Sequence, residues 1–132
     1  MKIPTILFGI FLIFLPACSN QENTIANNWL IKKKYINFND ILIDVASFED
    51  GDFWTFNHDG SYMQTEHISH FGTINYVGKW TLLGNTLNLT PKDSTHSTRY
   101  EILKLNKSHL ELDEYNSMNE LKGRIIFIKM EQ

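Results

Sequence analysis

From Trp29 onward, apolar and polar residues alternate in short runs, and Gly, Asn, Asp and Ser separate the runs. This pattern constrains the fold more than any other feature. Successive side chains of a strand point to opposite faces, so alternation with a period of two builds sheets with one apolar side. No long stretch there carries helical apolar spacing, and Pro91 is the only proline beyond Pro16. Short β-rich runs at regular spacing predict an all-β sandwich or barrel.

The clearest hairpin joins 52–56 to 61–65, with Asp59-Gly60 at the turn because Gly tolerates positive φ. A second joins 79–83 to 86–90 through Gly84-Asn85, and a third joins 99–105 to 109–113 through 106–108. A last strand covers 124–130 and an early one covers 29–36. Residues 41–47 read as a strand, although Ile41, Leu42, Val45 and Ala46 also fit one short helical turn. Ile74, Tyr76, Gly78, Trp80 and Leu82 share one strand face, with Val77 and Leu83 as apolar exceptions on the other. Tyr100 and Ile102 point inward, yet Leu103 and Leu105 are also apolar; a bulge between Ile102 and Leu105 reconciles the two phases. A meandering strand order closes such a sheet and removes its edges.

The N-terminus follows another rule. Lys2 precedes an apolar run from Ile3 to Leu15, too short for a bilayer-spanning helix of about 20 residues but right for the core of an export signal. Leu15-Pro16-Ala17-Cys18 resembles a bacterial lipobox. The resemblance implies cleavage before Cys18 and acylation there, palmitate among the acyl groups. Two or three acyl chains anchor firmly, each buried CH₂ contributing about 0.8 kcal/mol. Cys18 is the sole cysteine, so no internal disulfide forms. The expected organisation is a cleaved signal over 1–17, a lipidated cysteine and polar tether over 18–28, and a domain over 29–132. Ser19 after the cysteine favours the outer membrane by resemblance to enterobacterial sorting, and the expected location is the cell envelope.

Several blocks together carry a further resemblance. Trp29, the run from Phe53 to Tyr62, the run from Gly78 to Thr90, and Tyr100 to Leu105 are similar, in that order, to the bacterial lipocalin-like domain. The resemblance implies an up-and-down antiparallel β-barrel, or a partly open one, of about eight strands. Such a barrel is just wide enough for side chains or one small ligand. It transfers no catalytic motif.

Chemistry-bearing clusters are few. His67 and His70, with Glu66 and His58 nearby, suggest a metal site, but residues three apart lie on opposite faces of a strand, so the two histidines converge only in a loop, and no third ligand stands at a fitting spacing; no metal is expected. Ser94 to Ser97 read as a polar connection with no nucleophile elbow. Glu49 to Asp52 lack the spacing of a calcium loop. Lys32, Lys33 and Lys34 read as a solvated edge on which Lys33 opposes the other two. Formal charge is −3 with no basic stripe, so nucleic acid is not an expected partner. If Tyr62 faces inward, Gln64 and Glu66 share its face and need partners. Tyr62, Gln64, Glu66, Tyr76 and Trp80 are therefore the candidate ligand contacts. The expected function is a non-catalytic, membrane-anchored binder of a small apolar or amphipathic ligand, with no cofactor. The alternative is a protein–protein interaction module, an assembly factor or immunity-type protein, using the outer surface.

Overall fold

The computed structural model describes residues 21–45, 51–68 and 70–131. Cys18 and the export segment, the 46–47 end of the early strand, Glu49 and Asp50, and Ser69 lie outside them. Among the described residues, nine strands follow in order: β1 (Asn28–Phe38), β2 (Ile41–Asp44), β3 (Phe53–Phe56), β4 (Ser61–Ile68), β5 (Gly72–Leu83), β6 (Thr86–Pro91), β7 (Thr98–Leu105), β8 (His109–Tyr115) and β9 (Leu121–Lys129). Residues 41–44 are thus strand rather than helix.

From β3 to β9 each strand pairs antiparallel with the next. β1 pairs with β3 on one side and β9 on the other, with Ile31 opposite Phe127, so eight strands close into a barrel. The ninth, β2, pairs with the outer half of β1, Tyr35 opposite Asp44 and Phe38 opposite Ile41. Asn39 and Asp40 both have positive φ in that turn, the backbone a two-residue hairpin needs to match strand twist.

The expected hairpin between β7 and β8 forms, and its register shifts between Ile102 and Lys104. The extra residue turns Leu103 out to solvent and lets Ile102 pair with Leu112 and Leu105 with Leu110 on the core side. A second bulge lies between Ile31 and Lys33 in β1. It corrects the expected alternation of the lysines: Lys34 lies opposite the core residue Ile125, while Lys32 and Lys33 are exposed.

Aromatic side chains fill the lower barrel. Trp54 meets Phe127, Tyr100 and Phe56 at ring-centroid distances of 4.9, 5.5 and 6.3 Å, and Phe56 meets Trp80 edge-on at 5.8 Å. Offset and edge-to-face pairs such as these contribute about 0.5–1.5 kcal/mol each beyond their buried area. Leu87, Leu110 and Leu112 complete the core with no exposed surface. Residues 21–25, within the expected tether, form a short helical turn that seals the lower end. Ile25 is fully buried there, and its carbonyl accepts a 2.9 Å hydrogen bond from Trp29 Nε1.

Candidate functional site

The upper rim is built by strands that outrun their neighbours. β5 pairs with β6 only from Gly78 downward, so residues 72–77 continue with β4 as a projecting hairpin. β1 and β2 form a second projection from the same rim. Partners directly opposite in a sheet share a face. Ile36 lies opposite Gly123, next along from core-facing Ile125, and Ile36 and Phe38 lie opposite Ile43 and Ile41. All four therefore face the barrel axis, yet they are 49–65% exposed. On the other hairpin, Tyr76 lies opposite Gln64 and Ile74 opposite Glu66, on the face of buried Tyr62. Ile74 is 39% exposed and Tyr76 47%. Exposed apolar residues gathered on one face mark a surface that another molecule can cover.

Below these walls lies a polar layer. The Tyr100 hydroxyl donates to Glu114 Oε1 at 3.3 Å, with the Gln64 side chain beside it. Burial first, and then the negative charge of Glu114, push the Tyr100 pKa far above its ordinary value; burial raises Tyr62 as well. Both phenols are therefore neutral donors across the physiological range. Tyr62 lies across Gly78: a Cβ there would stand 2.7–2.8 Å from its ring and hydroxyl. Lys34, Ile36, Glu114, Gly123 and Ile125 help line a cleft of about 160 Å³ beside this layer. The rim thus offers apolar walls over phenols, an amide, a carboxylate and an ammonium. Such a surface can bind an amphiphile.

The five expected contacts separate by depth. Tyr62 is buried, Gln64 and Glu66 are half-buried above it, and Tyr76 stands on the open hairpin. Trp80 is 8% exposed in the packed region, with Nε1 donating to the Asn57 carbonyl at 2.9 Å. Sequence reasoning missed Tyr100, Glu114, Lys34 and the four apolar residues of the β1–β2 hairpin. Their signal was available: Ile36-x-Phe38 and Ile41-x-Ile43 mirror each other across Asn39-Asp40.

Several of the other chemistry-bearing residues make internal contacts. His67 bonds buried Asp52 through its backbone N–H at 2.8 Å and through Nδ1 at 3.2 Å, which ties the start of β3 to β4. Among the described residues, no group of three His, Cys, Asp or Glu side chains stands close enough to hold a metal. Ser94 Oγ accepts from the His96 N–H, and Thr90 shares a hydrogen bond with Ser97, so these hydroxyls fasten a turn.

Residues 20–112 match the family model of the lipocalin-like domain, most of the chain. The chain belongs to the lipocalin-like domain family. The match stops inside β8, although β9 closes the barrel. Two solved structures share this lipocalin-like fold. A lipocalin-like protein from Bacteroides uniformis ATCC 8492 superposes with a TM-score of 0.61 at 17% identity, covering 81% of this chain and 99% of that one. An uncharacterized protein from Bacteroides eggerthii DSM 20697 gives 0.58 at 12% identity, covering 80% and 99%. No curated protein matches.

Proposed function

We propose that this lipocalin-like domain is a non-catalytic, envelope-anchored binder that takes a small apolar or amphipathic ligand at its open rim. One observation carries the reading: Ile36, Phe38, Ile41 and Ile43 face the barrel axis yet stay exposed, above the polar layer of Gln64, Tyr100 and Glu114. Leaving so much apolar surface in water is unfavourable, at about 25 cal/mol per Å² relative to burial. A ligand that covers the walls recovers this free energy, and its polar end meets the phenol and carboxylate. The cluster of buried aromatic and aliphatic side chains in the lower barrel supports a site at the rim.

The lipobox-like Leu15-Pro16-Ala17-Cys18 supports acylation of Cys18, with the outer membrane as the favoured site. The folded part begins by residue 21, so a tether from Cys18 reaches at most about 10 Å. The sealed lower end then faces the bilayer and the rim faces away from it.

The test is native mass spectrometry of the chain purified from its own envelope, alongside Phe38→Asp/Ile43→Asp. A co-purifying small molecule lost in the double variant is expected. A bare protein, with fluorescent apolar probes that bind wild type and variant equally, would contradict the proposal. Cys18→Ser should remove the acyl mass and release the chain from the membrane; an unmodified thiol in the wild type would overturn the anchoring.

A further inference from the structure

The outer wall of the barrel, away from the rim, carries a groove of about 840 Å³ across β3, β4, β5 and β6. Thr55, Met63 and Val77 lie opposite one another in adjacent strands and form its floor. Val77 is the apolar exception on the outward face of β5, and it is 45% exposed. Pro91 extends the apolar surface, and the turn after β6 makes one wall, fixed by a 3.0 Å hydrogen bond from the Lys92 N–H to the Val77 carbonyl. Lys79 and Lys92 both line the groove, and among the described residues no carboxylate does. That asymmetry is notable in a chain with 15 acidic against 12 basic residues. The nearest acids in sequence, Asp59 and Asp93, are outside the lining; Asp59 is engaged with Ser61.

We propose that this groove is a second binding site, taking a single-chain anionic amphiphile of the long-chain carboxylate class. The alkyl chain lies over Met63, Val77 and Pro91, and the carboxylate meets the Lys79 and Lys92 ammonium groups. The volume is within the range of small-molecule sites. Methionine adapts its shape to a flexible chain. This site is distinct from the apolar rim walls: its floor uses the opposite face of β4 and β5, it shares none of the four apolar residues of the β1–β2 hairpin, and it meets the polar layer only where Tyr62 and Gly78 reach its lining.

The experiment uses the full acylated chain in phosphatidylcholine nanodiscs, a palmitate carrying a photoreactive diazirine, and peptide mapping by mass spectrometry. Adducts are expected within 61–63, 77–81 and 90–94. The Lys79→Glu/Lys92→Glu pair should lower them about tenfold, and the diazirine alcohol of equal length should label about tenfold less. If the Glu pair fails to fold, Lys79→Gln/Lys92→Gln replaces it, with a loss of about threefold. Phe38→Asp should leave groove labelling unchanged while changing the rim, so failure at one site is separable from failure at the other. Adducts confined to the rim, equal labelling by the alcohol, or indifference to loss of both lysines would overturn the proposal.

Discussion

Ile25→Ala tests whether the segment before β1 belongs to the fold. Ile25 is fully buried between the barrel end and Trp29, whose Nε1 is bonded to the Ile25 carbonyl. The substitution removes the outer carbons of the side chain, about 2.4 kcal/mol at roughly 0.8 kcal/mol for each of three methylene-sized groups. Trp29 is held by its own hydrogen bond and by the core around it, so collapse into the vacated space is limited and a cavity term adds to the loss. The expected cost is about 3 kcal/mol, inside the usual span for large-to-small core changes. With a urea slope of about 1.5 kcal/mol/M, the unfolding midpoint should fall by about 2 M at unchanged slope. Tryptophan fluorescence during urea unfolding measures it, since Trp29, Trp54 and Trp80 all sit in the core. A solvated tether would lose less than about 0.5 kcal/mol on the same change. A midpoint shift that small would refute the idea that residues 21–25 seal the barrel.

Gly78→Ala should cost about 2–3 kcal/mol, because the added carbon would stand 2.2 Å from the Thr90 carbonyl oxygen and 2.7 Å from the Tyr62 ring. Chemical denaturation reads this, and a neutral result would mean that β5 and β6 do not approach so closely. Alkaline titration supplies a third check. Tyr62 and Tyr100 are raised above 10.0, so their contribution to stability is complete below about pH 10 and is lost as pH rises further, when the unfolded chain ionises first. Tyrosinate absorbance should lag for these two of the five tyrosines until the barrel unfolds. Simultaneous ionisation of all five with the fold intact would contradict their burial.

How far the sequence reveals this structure depends on whether apolar residues mark the phase. Around Ile102 they do: two conflicting apolar registers within one strand can be reconciled only by an inserted residue, and the shift falls between Ile102 and Lys104. Around Lys32 to Lys34 there is no such mark, since three identical polar residues look the same in either phase, and the β1 bulge is hidden. The inward parity of Ile74 and Tyr76 follows from alternation, but their exposure does not. It arises because β6 ends at Pro91 while β5 runs on to Gly72, a difference in strand length set by tertiary pairing. Ile25 and Ala26 fall in a stretch too short to show any period, so their burial depends on the barrel end they cover. The polar layer was half legible: Tyr62 and Gln64 follow from one strand, whereas Tyr100 and Glu114 join them only once the barrel closes.

The pairing of β1 with β9 sets the order in which the molecule can be completed. Ile31 and Phe127 are neighbours in space but roughly a hundred residues apart along the chain, so fastening them carries the loop-closure cost of all the strands between them. A chain delivered N-terminus first must keep one flank of β1 unzipped until β9 arrives. Completion therefore waits for delivery, whether from a ribosome or through a pore. Clipping the last dozen residues would leave two raw flanks, on β1 and β8, as adhesive templates for other chains.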